Sequence, residues 1–335
     1  MPEFSIVIPL YNKGRHIARA LNSVLVQSVQ DYEIIVVDDG STDDGAEIVK
    51  GFSDNRIRLI RQANAGVSVA RNKGIECAGA GLIAFLDADD YWKPDYLKTI
   101  KRLCNYYSEA GLYATAYEVA MRGGIIFVPR FNGIPKAPWE GIITDYFKAA
   151  LGNPPLSTSA TVVKKVVFEK VGVFPPGVTR GEDADMWARI AFDYPLAFSN
   201  SLNTVYCRDA DNRACSVPNT ERDPVILQTM RKAIQSMNIR GERRYYMKEY
   251  MNLEMLALAR AFAEMNDLSV ARSILTECRT KYFLKKKLLL LIFCFLPKTV
   301  RRALILLNKL LREIVLYRLA YYFLWRGRRE RALNA

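Results

Sequence analysis

Three acidic runs hold the side chains best suited to chemistry in this chain: Val37-Asp38-Asp39-Gly40-Ser41-Thr42-Asp43, Leu86-Asp87-Ala88-Asp89-Asp90 and Gly181-Glu182-Asp183-Ala184-Asp185, behind an opening Pro9-Leu10-Tyr11-Asn12. The first two follow apolar, strand-like segments, so their carboxylates emerge together at the carboxyl edge of one parallel sheet, where open α/β sheets bind ligands. Hard oxygen ligands in such a crevice outline a nucleotide and metal site.

The elements that must position them are legible in the pattern. Phe4 to Ile8, Glu33 to Val37, Ile57 to Ile60 and Leu82 to Leu86 are short β-branched or apolar runs, and helical stretches near 13–28, 43–52, 66–78 and 94–107 alternate with them. That alternation predicts a doubly wound sheet. Asp43 or Asp44 is the predicted N-cap of the second helix. Leu112 to Ala120 and Ile125 to Val128, around Gly123-Gly124, read as a hairpin, and residues 132–155 as a loop with a short helix near 142–150.

Asp183, Met186, Trp187, Ile190 and Ala191 share one helix face, which points Asp183 inward at a helix start. There the helix dipole favours its ionised form by ~0.3–1 kcal/mol, which suits a proton acceptor; a carboxylate that caps its own helix is the alternative reading. Beyond residue 220 the pattern is helical, at 221–238, 242–265 and 268–280, with Ala257, Ala261 and Ala271 suggesting a packed hairpin.

Charge separates the chain into parts. The net charge is +13 overall, yet residues 281–335 carry 14 Lys and Arg against Glu313 and Glu330, leaving the first 280 residues almost neutral. The basic tail contains nine uninterrupted apolar residues, Leu288 to Leu296, well short of the ~20 that a spanning helix needs. Val300 to Trp325 then mixes apolar and cationic residues as an interfacial amphipathic helix does. The expected partner is an anionic membrane surface rather than nucleic acid, with oligomerisation through the C-terminal helices as the other use of such a tail. Six cysteines without a CxxC pair, and no signal-like start, suggest a cytoplasmic setting with free thiols, although Cys207 and Cys215 are close enough in sequence to pair. The single histidine, His16, excludes a multi-His zinc site and argues against a serine-hydrolase triad.

Taken with Asn64-Ala65-Gly66, Ala70-Arg71-Asn72 and the run from Gly181 to Ile190, these motifs make residues 3 to about 216 resemble family 2 glycosyltransferases. The resemblance implies a GT-A fold, an α/β doubly wound mixed sheet, as a domain at 1–219; the helical pattern and the charge break then mark a helical extension at 220–280 and the membrane-associating tail at 281–335. It implies inverting transfer of one sugar from a nucleotide-diphosphate sugar to a glycan or glycolipid acceptor, as in polysaccharide biosynthesis, at the inner face of the cell membrane. Pro9 would shape the base pocket, Tyr11 would stack on the base, Asp39 with Asn64 or Arg71 would read its edge, and Asp87 would hold ribose or sugar. Asp89 would hold Mg²⁺ or Mn²⁺, and Asp183 would be the base.

Two departures matter. The Tyr-Arg-x-His segment of many members is here Tyr206-Cys207-Arg208-Asp209, without histidine, which leaves the metal to Asp89 alone, or to Asp89 with Asp209, Asp211 or an Arg208 contact to phosphate. The QxxRW segment of processive synthases is Gln228-Thr229-Met230-Arg231-Lys232, without tryptophan, which favours single-sugar transfer. A polyprenyl-phosphate sugar synthase and a non-catalytic sugar-nucleotide-binding scaffold are the competing readings.

Overall fold

The computed structural model describes residues 1–208, 210 and 221–307. Its centre is a mixed ten-stranded sheet. Strands β1 (Phe4–Leu10), β2 (Tyr32–Asp38), β3 (Ile57–Arg61) and β4 (Leu82–Phe85) are mutually parallel in the order β3-β2-β1-β4. Helices α1 (Gly14–Leu25), α2 (Gly45–Lys50) and α3 (Val67–Cys77) connect them, so the predicted alternation is the one observed. The chain leaves β1 toward β2 on one side and returns to β4 on the other, which makes the β1/β4 boundary the topological switch point.

The second half of the sheet follows from β5 (Tyr91–Trp92), α4 (Tyr96–Tyr106), β6 (Leu112–Ala120), β7 (Ile126–Phe127), β8 (Glu140–Ile142), α5 (Tyr146–Ala150), β9 (Thr161–Lys164), α6 (Lys165–Val171), α7 (Glu182–Asp193) and β10 (Leu196–Cys207). β9 lies antiparallel between β4 and β6, while β10 runs parallel to β6. The hairpin expected around Gly123-Gly124 is β6 with β7. Strands β9 and β10 had no sequence expectation. β10 bulges between Ser199 and Thr204, where its residues are half-buried and, apart from Leu202, polar.

One core packs below the sheet and takes in Phe85, Phe174, Met186, Trp187 and Ile190, together with Ile226 and Met230 of α8 (Val225–Ser236) and Met247 and Tyr250 of α9 (Gly241–Glu264). The extension therefore shares the core of the sheet and is not a separate body. α9 and α10 (Leu268–Glu277) form the helical hairpin, turning at Asn266 with a φ of 68° and capped by Asp267, whose carboxylate accepts the Val270 N–H. Its packing residues are Ala259, Ala263 and Ala271, whereas Ala257 is exposed and Ala261 half-buried.

The tail is likewise not cleanly divisible at residue 281. Helix α11 (Leu284–Phe295) buries Cys294 and packs Leu290, Leu291 and Phe293 on α9 and α10, and the Lys281 N–H donates to Glu249. Its other side exposes Leu288, Leu289, Ile292 and Phe295. Residues 298–307 are helical, and the rest of the predicted amphipathic stretch lies outside the described residues. No helix among them is long and apolar enough to cross a membrane. Cys77, Cys104, Cys278 and Cys294 are free thiols; Cys207 is buried, and Cys215 lies outside the described residues.

The close approach of α3 to β1 is made at Gly74, where an added Cβ would stand 2.2 Å from Val7 Cγ1. Val7 is fully buried and β-branched, so it has little room to turn away. Gly74→Ala is expected to destabilise the fold by about 1–3 kcal/mol, read as a lower denaturant midpoint.

Candidate active site

Each loop of the site is built by satisfying its own backbone. Asp38 is fully buried, accepts the Ser41 N–H at 2.9 Å and pairs with Arg61 at 2.8 Å. Asn12, in the left-handed region at φ 50°, accepts the Thr42 N–H at 2.8 Å, which ties the turn after β1 to the loop after β2. Position 44 is the N-cap of α2, but the capping carboxylate is Asp43: it accepts the Gly45 N–H at 3.0 Å and the Gly14 N–H at 2.7 Å, holding the starts of α1 and α2 together.

Asp39 is 3 % exposed, and its oxygens accept from Gln62 Nε2, the Ala65 N–H and the Gly66 N–H at 2.7, 3.0 and 2.8 Å. It thereby fixes the loop that presents Asn64. A Cβ on Gly40 would meet the Asn64 nitrogen at 2.9 Å, so the two loops touch only because position 40 is glycine. On the loop after β4, Asp90 accepts from the Ser159 hydroxyl at 2.5 Å and the Cys207 N–H at 2.7 Å, and the Ser159 hydroxyl in turn accepts the Asp87 N–H at 3.1 Å. These bonds fix the loop that carries Asp87 and Asp89.

The loops enclose a cleft of about 800 Å³ lined by Pro9, Tyr11, Asp39, Asn64, Arg71, Asp87, Asp89 and Asp183. All eight residues singled out from sequence face one space. Arg71 sits there differently from a base-reading residue. Its buried guanidinium donates to Asp87 Oδ1 and Glu182 Oε1, each at 2.8 Å, and lies 5.3 Å from the centroid of Phe174. Burial alone would lower its proton affinity, but the two carboxylates outweigh that and leave it above the usual arginine range.

Asp183 is half-buried in the first turn of α7, and its Oδ1 accepts the Ala184 N–H at 2.7 Å. Burial, then the neighbouring Glu182, push its carboxyl up to about 6 against the opposing pull of Arg71. The inward stripe behind it is as predicted: Met186, Trp187 and Ile190 are buried.

Lys13, Tyr117 and Glu254 were not anticipated, and Glu182 and Tyr206 were named without these partners. Lys13 pairs with Asp89 at 2.8 Å, Glu182 pairs with Arg71, and Tyr117 and Tyr206 complete the wall of the cleft. Glu254 on α9 is pushed up to about 7 by burial and then by Asp183, so a carboxylate of the helical extension feels the charge of the site. Lys13, one residue beyond the Pro9-Asn12 segment, could have been suspected from its position on the same turn. Glu254 gave no sequence signal.

Asp89 is the one residue assigned to a metal, and its carboxylate is the right type for a hard cation. The described residues contain no group of three or more acidic, Cys or His ligands. Among the described residues, a divalent ion at Asp89 would find its other oxygens on a bound diphosphate or water, beside the Lys13 ammonium. Asp209 and Asp211, the suggested substitutes for the missing histidine, lie outside the described residues.

Residues 5–140 match the family model described as Glycosyl transferase family 2. The uncharacterized glycosyltransferase alr2836 of Nostoc sp. is 44 % identical over 214 residues, 61 % of this chain and 62 % of that protein. The uncharacterized glycosyltransferase YibD of Escherichia coli K12 is 45 % identical over 100 residues, 29 % of each chain. The matches thus span less than two thirds of these relatives' own length. Among solved structures, Staphylococcus aureus TarS 1–349, crystallised in complex with UDP-GlcNAc, superposes with a TM-score of 0.60 at 16 % identity over 82 % of this chain and 83 % of that one. That likeness carries the fold: a GT-A mixed sheet with a helical C-terminal region.

Arg71→Met leaves Asp87 and Glu182 without their shared counter-charge. It is expected to cost about 3–5 kcal/mol of stability, with Arg71→Lys recovering only part because one ammonium replaces a two-pronged donor. Chemical denaturation of the three proteins checks this.

Proposed function

Since residues 5–140 belong to glycosyl transferase family 2, we propose that this chain is an inverting glycosyltransferase that moves one sugar from a nucleotide-diphosphate sugar, UDP-linked in the first instance, to a hydroxyl of a lipid-linked or surface-glycan precursor. The observation that carries the reading is the convergence of loops from β1, β2 and β4 and of the start of α7 on one cleft, with Asp183 at its wall. The complex of TarS with UDP-GlcNAc supports the class of donor.

In this reading Pro9 and Tyr11 receive the base, Asn64 meets its edge on the loop that Asp39 holds, and Asp87, oriented by Arg71, binds ribose or sugar. Asp183 accepts the proton of the acceptor hydroxyl as that oxygen attacks the anomeric carbon from the face opposite the diphosphate. Asp89 would hold Mg²⁺ or Mn²⁺, which supplies positive charge to the departing diphosphate. Lys13 adds a second cation beside Asp89. A carboxyl with a pKa of about 6 suits removal of a proton near neutral pH. A phosphate acceptor, as in a polyprenyl-phosphate sugar synthase, would have no need of it. The tail, basic and with an apolar exposed side on α11, attaches the enzyme peripherally to an anionic cytoplasmic membrane face.

Asp183→Asn is expected to bind donor as the parent does and to slow transfer by ~10²–10⁴-fold; turnover within a few-fold of the parent would point to a phosphate acceptor or to another base. The parent rate should climb as pH rises through about 6 and then level, because only the ionised carboxyl accepts a proton. Stability should respond in the opposite sense. The folded pKa is raised above the unfolded one, so this group's contribution is full below pH ~4 and is lost as pH rises through about 6.

For the cation, Asp89→Ala should abolish the part of donor affinity that Mn²⁺ adds, measured by titration calorimetry with and without the ion. Equal Mn²⁺ dependence in both proteins would remove Asp89 from the metal.

A further inference from the structure

Ile126, Phe127 and Val128 are 48 %, 40 % and 47 % exposed. In a half-buried strand alternate side chains turn inward, but Ile126 and Phe127 of β7 are both exposed, and among the described residues β7 pairs only with β6. Two exposed apolar side chains on a short strand, followed at once by a third, are a feature that soluble surfaces normally avoid. A second exposed apolar face, Leu288, Leu289, Ile292 and Phe295, lies on α11.

The two segments are remote in sequence, but the chain just after the hairpin meets the chain just before α11, where Asn132 Nδ2 donates to Tyr282 Oη at 3.4 Å. The hairpin is also joined to the cleft. Asn153 Nδ2 donates to the Arg130 carbonyl at 3.0 Å, Tyr117 Oη donates to the Pro154 carbonyl at 2.8 Å, and the Phe131 and Tyr117 rings lie 5.8 Å apart. Tyr117 and Pro154 line the cleft. Residues 119–139 and 281–307 together contain ten Lys and Arg and no Asp or Glu.

We propose that the β6–β7 hairpin is a second membrane contact. Ile126, Phe127 and Val128 enter the head-group region of an anionic bilayer beside α11 and hold the Tyr117 wall of the cleft against the surface from which a lipid-linked acceptor arrives. The occupant is a bilayer because the apolar residues are set among cations alone on both segments, and long cationic side chains can reach head groups while their stems lie along the apolar layer. The inference rests on the reading of the tail as membrane-associating and extends it to a site 160 residues away in sequence, at the substrate cleft.

The test uses the full chain and vesicles of phosphatidylglycerol and phosphatidylcholine. Ile126→Ser/Phe127→Ser/Val128→Ser should sediment with them about tenfold more weakly than the parent, and Phe127→Leu close to the parent, with nucleotide-sugar binding measured without vesicles unchanged. Leu289→Ser/Ile292→Ser reports on the tail separately. Phe127→Trp should gain fluorescence that brominated lipid quenches, which supports the proposal even if the triple variant folds poorly. An undiminished triple variant beside a weakened α11 variant overturns the hairpin contact and leaves the tail reading intact. A parent that ignores vesicles overturns both. Loss of a dimer in the triple variant with vesicle binding unchanged would show that a second copy covers the hairpin, and overturns the proposal. Failure of the parent to bind a nucleotide sugar would undo the enzymatic reading without touching the vesicle result.

Discussion

A single buried guanidinium holds the site in one piece. Arg71 reaches from α3 to Asp87 after β4 and to Glu182 at the start of α7, residues 111 positions apart from Arg71 at the far end. Such a pair adds little net stability, because three charges have left water to make it, but it is costly to leave incomplete. Its value is geometric: Asp87 and α7 are placed only when both meet the same planar donor. The electrostatics of Asp183 depend on it too. Arg71 pulls the Asp183 carboxyl down while burial and Glu182 push it up, and the outcome near 6 is the residue of that contest.

The helix that carries Asp183 is held from behind as well. Asp185, 1 % exposed, accepts from Arg189 at 2.8 Å and from the Thr229 hydroxyl of α8 at 2.6 Å. Arg189 also donates to the Val171 and Val173 carbonyls, which anchors the segment leading to Phe174, and Arg243 of α9 donates to the Ala191 carbonyl at 2.7 Å. The second and third acidic residues of the Glu182-Asp183-Ala184-Asp185 run thus have opposed tasks, one facing the cleft and one facing the extension. This explains why the helical extension shares its core with the sheet: it supports α7, and Thr229 and Met230 of the Gln228 to Lys232 segment are part of that support.

The strands β1 to β4, the β6–β7 hairpin and helices α8 to α10 were legible because each carries its own periodicity, bounded by turn residues. β9 and β10 were not. Thr161 to Lys164 is a four-residue run in which two valines are the only apolar signal, and β10 is interrupted by Ser199, Asn200, Ser201 and Asn203, where it bulges. Site membership was legible because acidic and glycine-rich runs at strand ends have few other uses. The partner of each member was not, since Arg71 with Glu182, Lys13 with Asp89 and Asp39 with the Ala65 and Gly66 amides are long-range choices that only the closed sheet decides. Charge and packing also differ along the C-terminal part: charge changes at residue 281, but apolar contact does not, and Cys294 lies in the same cluster as Ala271 and Leu275.

The absent histidine after Tyr206 takes on a different meaning beside Lys13. On the proposed assignment of Asp89 to the cation, a divalent ion and the Lys13 ammonium would share one carboxylate that is 15 % exposed. Such an ion would bring two positive charges to a place where Lys13 brings one, and a bound diphosphate would offer both cations an anion. Metal and nucleotide would then assist each other's binding, since each would offset the charge that the other adds.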